Sequence, residues 1–213
     1  MTILSDGEIT ALCQGTQPML APFLPASIRA HEATATKEDS ENVVYFRSEA
    51  KRNVLSYGLS SYGYDCRLAP KVKIFNNLNA GIIDPKNMAE DVLVDGKIHR
   101  DTDGSEYVIL PPNSYMLGHT VETFHMPRDV LAICLGKSTM ARASILINVT
   151  PIEPGFIGQV VIEISSLANL PVKIYINEGI AQFLFFRGSP CKVSYDDRKG
   201  KYQHQTGITL PKA

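Results

Sequence analysis

From Val54 onward the chain alternates short apolar runs with breaks rich in Gly, Pro and Asn. The runs KVKIF (71–75), YVILP (107–111), VLAICL (130–135), ILINV (145–149), QVVIEI (159–164), VKIYI (172–176) and IAQFLFF (180–186) are dense in Val, Ile, Tyr and Phe, which predicts strands. The segments NNLNAG (76–81), DTDG (101–104), EPG (153–155) and NEG (177–179) predict the turns between them. Many short strands at this spacing predict a mainly β domain, a sandwich or a distorted barrel. The N-terminal thirty residues differ. Asp6 can cap the run Gly7–Cys13, predicting a short helix, and Pro18, Pro22 and Pro25 interrupt any regular element after it. Residues 31–53 are polar and charged and predict a surface excursion. Without a repeat, a low-complexity tract or a second composition, residues 1–213 are expected to form one domain.

Composition narrows the function classes. A net charge of -1 over 213 residues gives no field to draw the chain onto nucleic acid or an anionic membrane. Phosphate binding then has to be local. No apolar run approaches about 20 residues, so no membrane-spanning helix is expected. The start MTILSDGEIT lacks the features of a secretory leader, so a cytoplasmic location is expected. Cys13, Cys66, Cys134 and Cys191 are too far apart to form the short pairs of a zinc site, and read as buried small hydrophobes in a reducing compartment. Zinc nucleobase deaminases carry H-x-E and P-C-x-x-C, and neither motif occurs here.

Three segments carry candidate chemistry. In GKSTMAR (136–142) a strand feeds a glycine, a lysine, two hydroxyls and an arginine. If the residues after Thr139 turn helical, free N–H groups add to the hydroxyls as anion donors; the other reading is a surface turn with a solvated Lys137 and Arg142. The order is not that of a Walker loop. In NVTPIEPGFIGQVVIEI (148–164), strand alternation puts Val160, Ile162 and Ile164 on one face and Val161 and Glu163 on the other. Glu163 is then either a solvent-facing carboxylate or a partly desolvated one held by an arginine and usable as a general base. The tail SYDDRKGKYQHQTGITLPKA (194–213) is either a loose end or a lid over an anionic ligand, with Gly200 and Gly207 as hinges.

Together these segments resemble the dCTP deaminases of the trimeric dUTPase superfamily. GKSTMAR is similar to that family's run of Gly, a basic residue, Ser, Ser or Thr, two variable positions and Arg. The 148–164 stretch is similar to its VT…(D/E)PG(W/F)xGxxxLE pattern, GIAQFLFF to its glutamine-bearing strand, and the tail to its lid. SSYGYDCRL (60–68) and IIDPKN (82–87) resemble further family segments. The resemblance implies a dUTPase-like distorted β-barrel or jelly-roll and a homotrimer with an active site at each interface. It implies zinc-independent hydrolysis of dCTP to dUTP and ammonia, feeding dUMP and dTTP synthesis. Glu163 matches the catalytic glutamate, and Arg142 the arginine that reaches it from a neighbouring subunit. Lys137, Ser138 and Thr139 match positions that hold the triphosphate or the water, which places Ser138 with the catalytic group. Met140 and Ala141 lie in the same loop, Val161 and Ile162 match the strand beside the base, and Gln182, Tyr195, Lys201 and Gln205 match residues closing on the nucleotide. Magnesium is expected on the triphosphate rather than in a protein cage.

One carboxylate can take a proton from water and return it to the departing amine, and backbone groups near Thr150 can read the cytosine edge. Lys137 stands where many members have Arg, and Glu153 where many have Asp. Two further readings are a bifunctional enzyme that carries dCTP through to dUMP and pyrophosphate, and a dNTP-binding module without catalysis.

Overall fold

The computed structural model describes residues 1–39, 42–76, 78 and 81–212. The strands form two six-stranded sheets and one three-stranded sheet, so the expected β class is present, as separate sheets rather than a closed barrel. The first sheet runs Thr2–Ile3, Gly179–Arg187, Gly63–Arg67, Asn42–Ser60, Ile28–Asp39, with Val130–Gly136 also paired to Gly179–Arg187. The second runs Ile145–Asn148, Ile157–Ser166, Tyr115–His125, Lys73–Phe75, Leu93–Asp95, with Leu20–Ala21 joined to Tyr115–His125. Each of the seven apolar runs contains or overlaps an observed strand. The two large sheets are linked by isolated bridges, Leu68 to Thr120 and Ala132 to Ile152, which do not continue into a ladder.

Their inner faces share one core. Val160, Ile162 and Ile164 are buried from one side and Phe183 and Phe185 from the other. Phe124 and Phe183 meet across the gap at a centroid distance of 4.9 Å, a contact of about 0.5–1.5 kcal/mol beyond the area it buries.

The N-terminal helix is Asp6–Leu12, and its N-cap is Ser5 rather than Asp6. Glu8 decides this: its carboxylate accepts the Ser5 backbone N–H at 2.9 Å, closing a capping box one residue earlier than expected. The polar stretch 31–53, expected as a surface excursion, is spanned by the antiparallel strands Ile28–Asp39 and Asn42–Ser60, apart from positions 40 and 41, which lie outside the described residues. Most of the NNLNAG turn lies outside them too. Cys13, Cys66 and Cys134 are buried and free, while Cys191 is only half-buried, contrary to its expected burial.

The central strand Tyr115–His125 is absent from the sequence expectation. Polar residues are buried in it and satisfied there. Thr120 Oγ1 donates to the Glu122 carbonyl at 2.6 Å and accepts the Val160 N–H at 3.0 Å, bridging a register shift between His119 and Thr123. Glu122, fully buried, accepts the Arg67 N–H at 3.0 Å and the Arg67 Nε–H at 2.9 Å. Burial raises the Glu122 carboxyl, and these bonds oppose that rise.

Candidate active site

Glu163 sits in the middle strand of three. Ile157–Ser166 is flanked by Tyr115–His125, where Leu117 is its partner, and by Ile145–Asn148, where Asn148 is. The strand's burial alternates as the sequence predicts: Val160, Ile162 and Ile164 face the core, Val161 and Glu163 the opposite side. That side is not open solvent. It is the floor of a cavity of about 470 Å³ lined by Val161 and Glu163 together with Phe75, Tyr115, Leu117, Phe156, Tyr195, Tyr202 and Gln205.

Burial pushes the Glu163 carboxyl up from the usual 4.5 to about 7. Its Oε2 is buried and has no hydrogen-bond partner among the described residues. Burial, with the nearby Glu163 carboxylate as second cause, pushes the Tyr115 phenol up to about 12. The described residues lining the cavity include Glu153 and Glu163 but no Lys, Arg or His. Glu153 pairs with Arg198 of the tail.

The tail, expected as either a loose end or a lid, is folded across this cavity. The His204 N–H donates to the Ile157 carbonyl at 2.7 Å, and the Gln159 N–H to the Gln205 carbonyl at 3.0 Å. Gln205 Nε2 returns a bond to the Gln159 carbonyl at 2.7 Å. Gly158, at φ +149°, makes this approach possible: a Cβ there would stand 2.9 Å from the Gln205 carbonyl oxygen. Tyr195 packs edge-on against Phe156 at 5.7 Å, and its hydroxyl accepts the Tyr202 N–H at 3.0 Å. Gly200, expected as a hinge, instead lies against the Tyr195 ring with no room for a side chain.

The expected site residues fall into two groups. Val161, Glu163, Tyr195 and Gln205 line the cavity, and Thr150 does too. Ile162 points into the core, so only its backbone is available beside the cavity. Lys201 is exposed, donates to the Lys212 carbonyl at 3.1 Å and does not line the cavity. The GKSTMAR group lies elsewhere. Residues Ser138–Arg142 form the helical turn, with Ser138, Thr139, Ala141 and Arg142 exposed and Met140 buried in the core. Arg142 donates to its own turn, to the Ser138 carbonyl at 3.0 Å, and not to Glu163. Lys137, expected as either a solvated or a phosphate-facing residue, turns inward and pairs with Asp65, while Gln182 sits opposite Asp65 in the next strand. Sequence reasoning missed Phe75, Tyr115, Leu117, Phe156 and Tyr202. The signal available was the aromatic alternation around Tyr115, masked by Gly118 and His119 a few strand positions on.

A β scaffold that brings one desolvated carboxylate to the floor of an aromatic, lid-covered cleft defines an acid–base site for a flat ligand. The chain belongs to the dCTP deaminase-like family, whose model matches residues 3–188. It is 58% identical over 160 residues to a dCTP deaminase of Sulfurovum sp., covering 75% of this chain and 81% of that one. It is 47% identical over 214 residues to a dCTP deaminase of Pseudomonas fluorescens, covering 100% of both chains. The crystal structure of the 2'-deoxycytidine 5'-triphosphate deaminase from Agrobacterium tumefaciens shares its fold, at a TM-score of 0.53 and 20% identity over 87% of this chain and 48% of that one. Among the described residues, no cluster of three or more His, Cys, Asp or Glu has the arrangement to hold a metal ion.

Proposed function

We propose that the chain hydrolyses dCTP to dUTP and ammonia, with Glu163 as the proton carrier. The observation that supports this most directly is the state of Glu163: buried, raised to about 7, with a free oxygen facing the cleft. A carboxylate balanced near neutrality can accept a proton from water as the oxygen adds to C4 of the cytosine ring. It can then return that proton to the 4-amino nitrogen, which departs as ammonia. The aromatic walls, Phe156 and Tyr195 among them, suit a planar base, and the closed tail excludes bulk water while the bond breaks.

The triphosphate, carried as its magnesium complex, needs cations and hydroxyls that this cleft lacks. The exposed Ser138, Thr139 and Arg142 supply them when a second copy of the chain docks its GKSTMAR turn at the mouth of the cleft. Arg142 of the partner subunit then stands beside Glu163, and the active assembly is a homotrimer. Its guanidinium offsets the cost of ionising a buried carboxylate and holds Glu163 in the base form that the first step needs.

The test is incubation of the purified protein with magnesium and dCTP under a zinc-specific chelator, with chromatographic separation of products. Accumulating dUTP supports the proposal, and dUMP with pyrophosphate replaces it by a two-step hydrolysis. Unchanged dCTP refutes it. Mixing Glu163→Gln with Arg142→Ala chains tests the shared site: assemblies holding one intact pair regain activity that neither variant has alone.

A further inference from the structure

Asp65 lies where a carboxylate is costly. Its strand, Gly63–Arg67, runs between Asn42–Ser60 and Gly179–Arg187, pairing Asp65 with Gly58 on one side and Gln182 on the other. Tyr64 and Cys66, its neighbours in sequence, are fully buried, and Asp65 itself is 8% exposed. Its Oδ2 accepts the Lys137 ammonium, and its Oδ1 is buried with no hydrogen-bond partner among the described residues. Lys137 Nζ also donates to Ser56 Oγ at 3.3 Å.

Stability alone does not account for such a pair, since a well-packed apolar pair of the same volume serves a core as well or better. What the pair does is mechanical. Lys137 is the N-cap residue of the Ser138–Arg142 turn, and its carbonyl accepts the Ala141 N–H at 2.9 Å. Its side chain is therefore the anchor that ties the start of that turn to the sheet. Ser138 and Thr139 follow it directly and are exposed. A lysine in this place is a point charge on a long stem, which one buried carboxylate and one hydroxyl can seat.

We propose that Asp65 is a positioning residue for triphosphate binding: by seating Lys137 from inside, it fixes where the Ser138–Arg142 turn presents its hydroxyls to the phosphates. The inference rests on the reading of that turn as the phosphate-holding loop.

The experiment compares Asp65→Asn, Lys137→Met, their double variant and Ser138→Ala in steady-state dCTP deamination, with inorganic tripolyphosphate as a competing probe. Asp65→Asn is expected to raise KM for dCTP about tenfold or more while kcat stays within about threefold. The tripolyphosphate Ki is expected to rise by the same factor. The double variant should be no worse than Lys137→Met alone, because both changes cut one tether. A folded Asp65→Asn protein with native KM and native Ki overturns the proposal, as does a loss confined to kcat or a double variant whose losses multiply. If Lys137→Met and Ser138→Ala also leave KM and Ki native, the phosphate-loop reading falls with it. If those two raise KM while Asp65→Asn does not, that reading stands and only the positioning role is lost. Should Asp65→Asn fail to fold, Ser56→Ala weakens the same anchor from the neighbouring strand. It is then expected to raise KM and Ki together about threefold, and native values for both overturn the proposal.

Discussion

Replacing Gly200 by alanine tests how the tail is held over the cleft. A Cβ at position 200 would stand 2.1 Å from Tyr195 Cε1 and 2.2 Å from its Cζ, well inside contact distance. The backbone there is fixed, since the Gly200 N–H donates to the Tyr195 carbonyl and the Gly200 carbonyl accepts the Gln203 N–H, both at 3.0 Å. The ring has to swing away. It then loses the hydrogen bond from the Tyr202 N–H, about 1 kcal/mol, and the edge-on contact with Phe156, about 1 kcal/mol. Together these weaken docking of the tail by about 2 kcal/mol, or roughly thirtyfold in its closing equilibrium. The opening is local, so amide hydrogen exchange is the assay. The His204 and Gln159 amides, which bond across the junction between tail and strand, should exchange about thirtyfold faster than in the native protein, while amides of the Tyr115–His125 strand keep their protection. KM for dCTP should rise by up to the same factor. A folded Gly200→Ala protein with unchanged exchange at both amides would refute this account of the lid.

Glu163→Gln should lower kcat for dCTP deamination by about a hundredfold or more while Kd for the nucleotide changes only a few-fold, measured by chromatographic rates and equilibrium binding; a native rate removes Glu163 from the chemistry. The base form of Glu163 is lost as pH falls through its pKa, so log(kcat/KM) should decline on the acid side. Arg142→Ala, by withdrawing the cation that favours ionisation, should move that limb up toward about 7, and a downward move contradicts the pairing. Arg67→Ala strands the fully buried Glu122 and should cost about 3–5 kcal/mol, lowering Tm by roughly 10 °C in a thermal melt; a loss below about 1 kcal/mol speaks against the buried pair. Thr120→Val leaves the Val160 N–H without its acceptor and should cost about 1–3 kcal/mol by denaturant unfolding, with an unchanged midpoint refuting the bridge.

Much of the scaffold is legible because it follows a two-residue period. The run QVVIEI has the alternation that a half-buried strand requires, and it sets the side of the sheet on which Glu163 lies. The Tyr115–His125 strand is hidden because its buried residues include Thr120 and Glu122, whose partners lie 40 and 55 positions away. No local pattern shows that such residues are satisfied. The cap shifts from Asp6 to Ser5 for the opposite reason: the capping box is local, but Asp6 is itself a good cap residue and competes for the assignment. Lys137 reads as facing outward or toward a ligand because buried lysines are rare, and the carboxylate that draws it inward lies 72 residues earlier. The residue types of the site are visible in sequence order; which of them share one cleft depends on sheet pairing and is not.

The two carboxylates and absent cations of the cleft's described lining have a thermodynamic corollary. A nucleotide whose base lies on one copy and whose phosphates lie on the next is a ligand of the assembly, not of the subunit. Binding and association are then linked functions: whatever factor assembly contributes to nucleotide affinity, the nucleotide returns to the association constant. Dilution and substrate depletion therefore act in the same direction, each releasing subunits whose clefts lack the charge to hold a triphosphate. Sedimentation of dilute protein with and without dCTP reads that linkage directly as a shift in the weight-average mass.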